Sequence, residues 1–170
     1  MFWELIAAIF AGLGAAGVAM LLRRLSRGSL PGWLVPVAAG AAMIGYAVWS
    51  EYSWYPRTVA GLPDGMEVIS VNENRALYRP WTYLKPMIDR AAFADVAGRR
   101  SNDAVPGQYI VDVLLLGRWS AGRAVPVAVD CQAGRRALLA RGASFGPEGR
   151  IETDHWEEVL KDDPLLAAIC

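Results

Sequence analysis

The sequence predicts a membrane α-helical hairpin of two transmembrane helices, followed by a small α+β extramembrane domain with an antiparallel β-sheet. Three observations predict it. Two apolar runs, Leu5 to Leu22 and Leu30 to Trp49, contain no charged residue. A short loop between them carries Arg23, Arg24 and Arg27. Beyond them, alternating β-branched segments appear only in the C-terminal part of the chain. The expected division is residues 1–56 for the hairpin and 57–170 for the domain.

Crossing the hydrocarbon core takes roughly 20 apolar residues at about 1.5 Å rise each, and both runs approach that length. The first run is not expected to be a cleaved leader, because Met1-Phe2-Trp3-Glu4 carries an acid where a secretory signal has a basic region. Basic residues are retained on the cytoplasmic face, so Arg23, Arg24 and Arg27 act as topology determinants. Arg57 alone competes closely from beyond the second run. The expected location is the bacterial inner membrane, with both termini and the domain in the periplasm.

Aromatic residues mark the boundaries. Tyr46, Trp49, Tyr52, Trp54 and Tyr55 cluster where the second run meets polar sequence, Trp33 follows Pro31-Gly32, and Phe2-Trp3 open the chain. Such rings favour the headgroup layer. Small residues recur at four-residue spacing at Ala8, Gly12 and Ala16, and again at Ala41 and Gly45. Rows of this kind let helix backbones approach closely, either within the hairpin or against a partner's helix. The spans hold no acidic, basic or histidine side chain in their interiors, which argues against a proton path, an ion site or imidazole ligands of a membrane haem.

The extramembrane part is nearly neutral. Of 17 basic and 17 acidic residues, Arg23, Arg24, Arg27, Glu4 and Glu51 lie in the first 56 positions, leaving 14 and 15. No basic stripe points to nucleic acid. Strands are predicted at Met66 to Val71 and near Arg75 to Tyr78, with Asn72-Glu73-Asn74 as the turn between them. Between Trp81 and Asp95 the pattern is ambiguous, although Pro86 could open a short helix through Met87, Ile88 and Ala91. Gly98 to Gly107 reads as an exposed loop. A meander follows: Tyr109 to Leu116, Arg123 to Cys131 with Val125, Val127 and Val129 on one face, and Arg136 to Ala140. Thr153 or Asp154 can cap a C-terminal helix carrying Trp156, Val159 and Leu160, with Glu157 three residues after Asp154 completing a capping box. Asp163-Pro164 would break it before a last turn, Leu165 to Cys170.

Two cysteines, Cys131 and Cys170, lie in the part of the chain placed in an oxidising compartment, so a disulfide is expected. Unpaired thiols and metal ligation with His155, the only histidine, are the alternatives. A strand ending in Asp130-Cys131, then Arg135 and Arg136, Trp156, and Asp163-Pro164-Leu165 leading to Cys170 resembles the small disulfide-closed β domains of the bacterial surface-adhesin protein E type. The resemblance covers roughly the last 60 residues and implies an exported β-rich module closed by that bridge. Its adhesive function does not transfer, because that family is typically lipid-anchored and this chain has two spans.

No nucleophile elbow accompanies Ser120 or Ser144, and no phosphate-binding glycine loop or haem-attachment motif is present. No cofactor, metal or small-molecule substrate is expected. Trp54, Tyr55 and Arg57, with Arg79, Trp81 and Tyr83, combine aromatic rings and arginine and form the candidate partner surface. The expected function is that of a non-catalytic accessory subunit stabilising a larger integral-membrane complex, for example an electron-transfer complex, with integral-membrane subunits and lipid as partners. The alternative is a free-standing membrane-anchored binding or adhesive module.

Overall fold

The computed structural model describes residues 2–160 and 162–170. Met1, which opens the segment on which the expectation of an uncleaved first span rests, lies outside them. Two compact units divide between Trp54 and Tyr55.

The first unit holds α1 (Phe2–Leu25) and α2 (Leu34–Ala60) as far as Trp54; both helices are long and apolar enough to cross a bilayer. Leucine, alanine and methionine favour the helix, and α2 runs on through Pro56 to Ala60. Helix α1 ends in a Schellman motif: Gly28 N–H donates to Arg23 O at 3.0 Å and Arg27 N–H to Arg24 O at 3.2 Å. The left-handed position of that motif is held by Arg27 at φ 53°, where glycine is the usual occupant. Near the opposite end of the hairpin, Ser50 Oγ donates to Glu4 Oε1 at 3.2 Å. Glu4 thus sits in the first turn of the helix, where the dipole favours it. Helix α2 outlasts its apolar run by about eleven residues, roughly 16 Å, and carries Arg57 in its last turn.

The second unit is built on an antiparallel sheet. Among the described residues seven strands form it: β1 (Met66–Asn74), β2 (Met87–Asp95), β3 (Arg100–Ser101), β4 (Gln108–Gly117), β5 (Ser120–Asp130), β6 (Arg135–Leu138) and β9 (Glu157–Glu158). Their order is β1-β2-β4-β5-β6-β9, and β3 pairs with β4. A separate hairpin joins β7 (Ser144–Phe145) to β8 (Ile151–Glu152), and a short helix α3 (Pro164–Ile169) ends the chain.

The meander β4-β5-β6 matches the sequence expectation, with Val111 opposite Val127 and Val113 opposite Val125. Its valine face meets Leu165, Leu166 and Ile169 of α3, together with Ala92 and Ala94 of β2. The other face buries Ala128, Ala137 and Ile151, with Trp156 packed beside them.

Several local expectations give way. Asn72-Glu73-Asn74 is not a turn, because β1 continues to Asn74 and pairs with β2. Residues 75–78 form no strand beyond a single bridge from Ala76 to Arg79. The segment opened by Pro86 is a strand and not a helix. Ala91, Ala92, Phe93 and Ala94 are buried on both faces, so the polar alternation that marks a half-exposed strand is missing. The predicted helix at Asp154 to Leu160 is absent as well. Thr153 Oγ1 accepts from His155 N–H at 3.2 Å, turning the chain into β9, where Glu157 faces Arg136 and Glu158 faces Arg135. Backbone pairing with β6 thus takes the place of the helix, while the guanidinium groups of Arg135 and Arg136 pair with Asp130 and Asp163. Asp163 turns out to be a helix cap: its Oδ1 accepts from Leu165 N–H (3.0 Å) and Leu166 N–H (3.2 Å), with Pro164 in the first turn.

Candidate interaction surfaces

In the hairpin, Gly12 is buried, and Ala8 and Ala16 on the same row are half-buried. A Cβ at Gly12 would lie 2.5 Å from Met43 Cε, so glycine is what lets α1 approach α2 there. Ala41 and Gly45 behave differently. Both are exposed, and nothing lies within 4 Å of a Cβ built on Gly45. The row on α1 is used inside the hairpin; the row on α2 faces outward. Large apolar side chains on both helices, including Phe10, Leu13 and Ile44, are exposed too. Toward the loop, an apolar crevice of about 340 Å³ opens between the helices, lined by Val18, Leu22, Leu34 and Ala38 among others.

The basic loop is open. Arg24 and Arg27 are exposed, and the Arg23 guanidinium lies close to Gly32. Trp33 is exposed at this end of the hairpin, whereas Phe2, Trp3 and Trp49 are exposed at the other. Tyr46 and Trp49 have ring centroids 5.8 Å apart.

Of the candidate partner surface, Trp54, Tyr55 and Arg57 lie on the last turns of α2: Trp54 is buried, Tyr55 half-buried and Arg57 exposed. Arg79, Trp81 and Tyr83 belong to the β1–β2 connection, residues 75–86, in which Pro80–Tyr83 form a 3-10 turn. Trp81 and Tyr83 are exposed, while Arg79 lies 5.4 Å over the Tyr78 ring.

Cys131 and Cys170 are joined in a disulfide with Cα atoms 5.7 Å apart, so neither sulfur is available as a free thiolate. His155 is exposed, and no cluster of three metal-ligating side chains occurs among the described residues. The motif residues near the bridge acquire structural roles. Asp130, only 6% exposed, accepts from Ala133 N–H (3.0 Å), Gln108 Nε2 (3.1 Å) and Arg135 Nη2 (3.1 Å). Burial by itself raises its pKa. The three donors outweigh that effect and hold the carboxyl below its ordinary value. Gln108 Oε1 in turn accepts from Ile151 N–H at 3.0 Å, and the Arg135 guanidinium lies 4.6 Å over Trp156. Arg136 pairs with Asp163 at 2.8 Å, tying β6 to the cap of α3. This chain of partners joins the sheet to the elements covering both its faces. The Asp130 acceptor was not singled out as a site by sequence reasoning; a lone acid at the end of an apolar strand is its only signal.

No family model matches this sequence, and no curated protein or solved structure matches it either.

Proposed function

We propose that the chain is a two-span membrane protein acting as a non-catalytic accessory subunit of a larger integral-membrane assembly. In this reading the hairpin sits in a bacterial inner membrane, the arginine loop is cytoplasmic and the disulfide-closed domain is periplasmic. The observation that carries it is the outward row of Ala41 and Gly45 on α2. In lipid, helices associate through close packing of small residues, so such a row suits a partner's helix. The uncharged spans support a packing role in preference to transport. The disulfide supports placement in an oxidising compartment.

Extraction of native membranes in a mild detergent tests the proposal. Co-migration with a complex much larger than the 18.4 kDa chain is the expected result. A monodisperse monomer would instead indicate a free-standing anchored module. A reporter active only outside the cytoplasm, fused after Cys170, should be active; inactivity would overturn the topology.

A further inference from the structure

We infer that one end of the β-sheet seats in the headgroup layer of the membrane, through the β1–β2 loop and the neighbouring β4–β5 turn. The inference rests on the membrane-anchored reading above and adds a lipid contact to it.

The loop is built to hold apolar side chains outward. Thr82 is buried; its Oγ1 donates to Arg79 O at 2.7 Å and accepts from Ala76 N–H at 3.0 Å. Arg79 Nη1 reaches Met87 Sδ at 3.6 Å. With its interior fixed, the loop exposes Leu84 at 92%, Leu77 at 87% and Tyr78 at 77%, alongside Trp81 and Tyr83. At the same end of the sheet the β4–β5 turn is tied to β2 by Arg118 N–H donating to Asp89 O at 2.9 Å. It exposes Trp119, with the Arg118 guanidinium 4.7 Å over that ring.

Inside the loop the charged residues are basic, and acids flank it at Asp89 and at Glu73, which pairs with Arg75 at 4.0 Å. Between Glu73 and Asp89 the chain contains Arg75, Arg79 and Lys85 and no acid. At the other end of the sheet, residues 96–107 and 131–134 carry no Trp, Tyr, Phe or Leu, while the segment entering β1 holds Leu62 and that leaving β9 exposes Leu160. Trp and Tyr with polar tips, leucines at the apex and a cationic surround are the composition of an interfacial anchor, matched to lipid phosphates and the acyl boundary.

The test uses the full oxidised chain, one copy per nanodisc of mixed phosphatidylcholine and phosphatidylglycerol. An environment-sensitive fluorophore is placed in separate variants, Leu84→Cys, Trp119→Cys, Asp103→Cys and Ile44→Cys. Shallow nitroxide-labelled lipids should quench the Leu84 and Trp119 labels at least threefold more than the Asp103 label. Equal quenching at these sites overturns the inference. Protection of the Leu84 label from aqueous iodide without lipid quenching also overturns it, and points to the domain covering its own loop. The Ile44 label reports the anchor itself: without quenching by deep nitroxide lipids, the membrane reading fails, independently of the loop.

Discussion

Breaking the Cys131–Cys170 bridge should cost the domain more than the loss of any single hydrogen bond or ion pair within it. Helix α3 has six residues, too few to persist alone. Docking it buries Leu165, Leu166 and Ile169, worth about 1.5 to 3 kcal/mol each. Ordering six backbone units costs about 1 to 2 kcal/mol each, so burial and entropy nearly cancel. The bridge decides the outcome. Closing a loop with a sequence separation of 39 removes about 4 kcal/mol of unfolded-chain entropy in the loop-closure model. For a unit of roughly 115 residues the unfolding entropy near the midpoint is about 0.24 kcal/mol/K, which converts that loss to a Tm decrease of about 16 °C. The assay is thermal unfolding of the full chain in detergent, followed by near-ultraviolet circular dichroism, comparing the oxidised protein with Cys131→Ser/Cys170→Ser. A decrease under about 4 °C would refute the claim that the bridge holds α3 in place.

Three further outcomes follow from particular contacts. Asp163→Ala removes the cap of α3 and the partner of Arg136, and should cost about 1 to 2 kcal/mol in a denaturant titration, whereas Asp163→Asn, which keeps the cap, should lose less than about 1 kcal/mol. Because the folded-state pKa of Asp130 is depressed, its contribution to stability is present above the ordinary carboxylate range and lost as pH falls through the folded value. Asp130→Asn should therefore flatten the acid limb of the stability profile, and an unchanged limb would contradict the assignment. Gly12→Leu should separate the two spans, read as lower energy transfer between probes on α1 and α2, while Gly14→Leu, with open space around it, should leave transfer unchanged.

Much of this architecture is legible in the amino-acid sequence, and the parts that are not share physical causes. The spans are legible because length and lack of charge are local properties. Strands β4 and β5 are legible because β-branched residues alternate with others along them. Strand β2 is not, since helix α3 and the sheet need small side chains at Ala92 and Ala94, and alanine favours helix in isolation. Asp154 and Glu157 have the spacing of a helix start, yet backbone pairing with β6, distant in sequence, takes Glu157 and Glu158 into a strand. Asp163-Pro164 breaks the chain and also begins α3, a double role that appears only once the valine face waiting for Leu165 and Leu166 is known. Among the candidate surface residues, the aromatic and arginine composition is visible in the sequence. Which side chains face outward depends on the fold: Thr82 holds the loop that exposes Trp81 and Tyr83, while Trp54 is buried.

The accessory-subunit reading is tested most directly by placing a photo-reactive amino acid at Ala41 or Gly45 in the chain, expressed in its native membrane. The account predicts adducts with a larger integral-membrane protein from both positions, and none from Ala8, which lies on the row used within the hairpin. Adducts limited to lipid or to a second copy of the chain would contradict it.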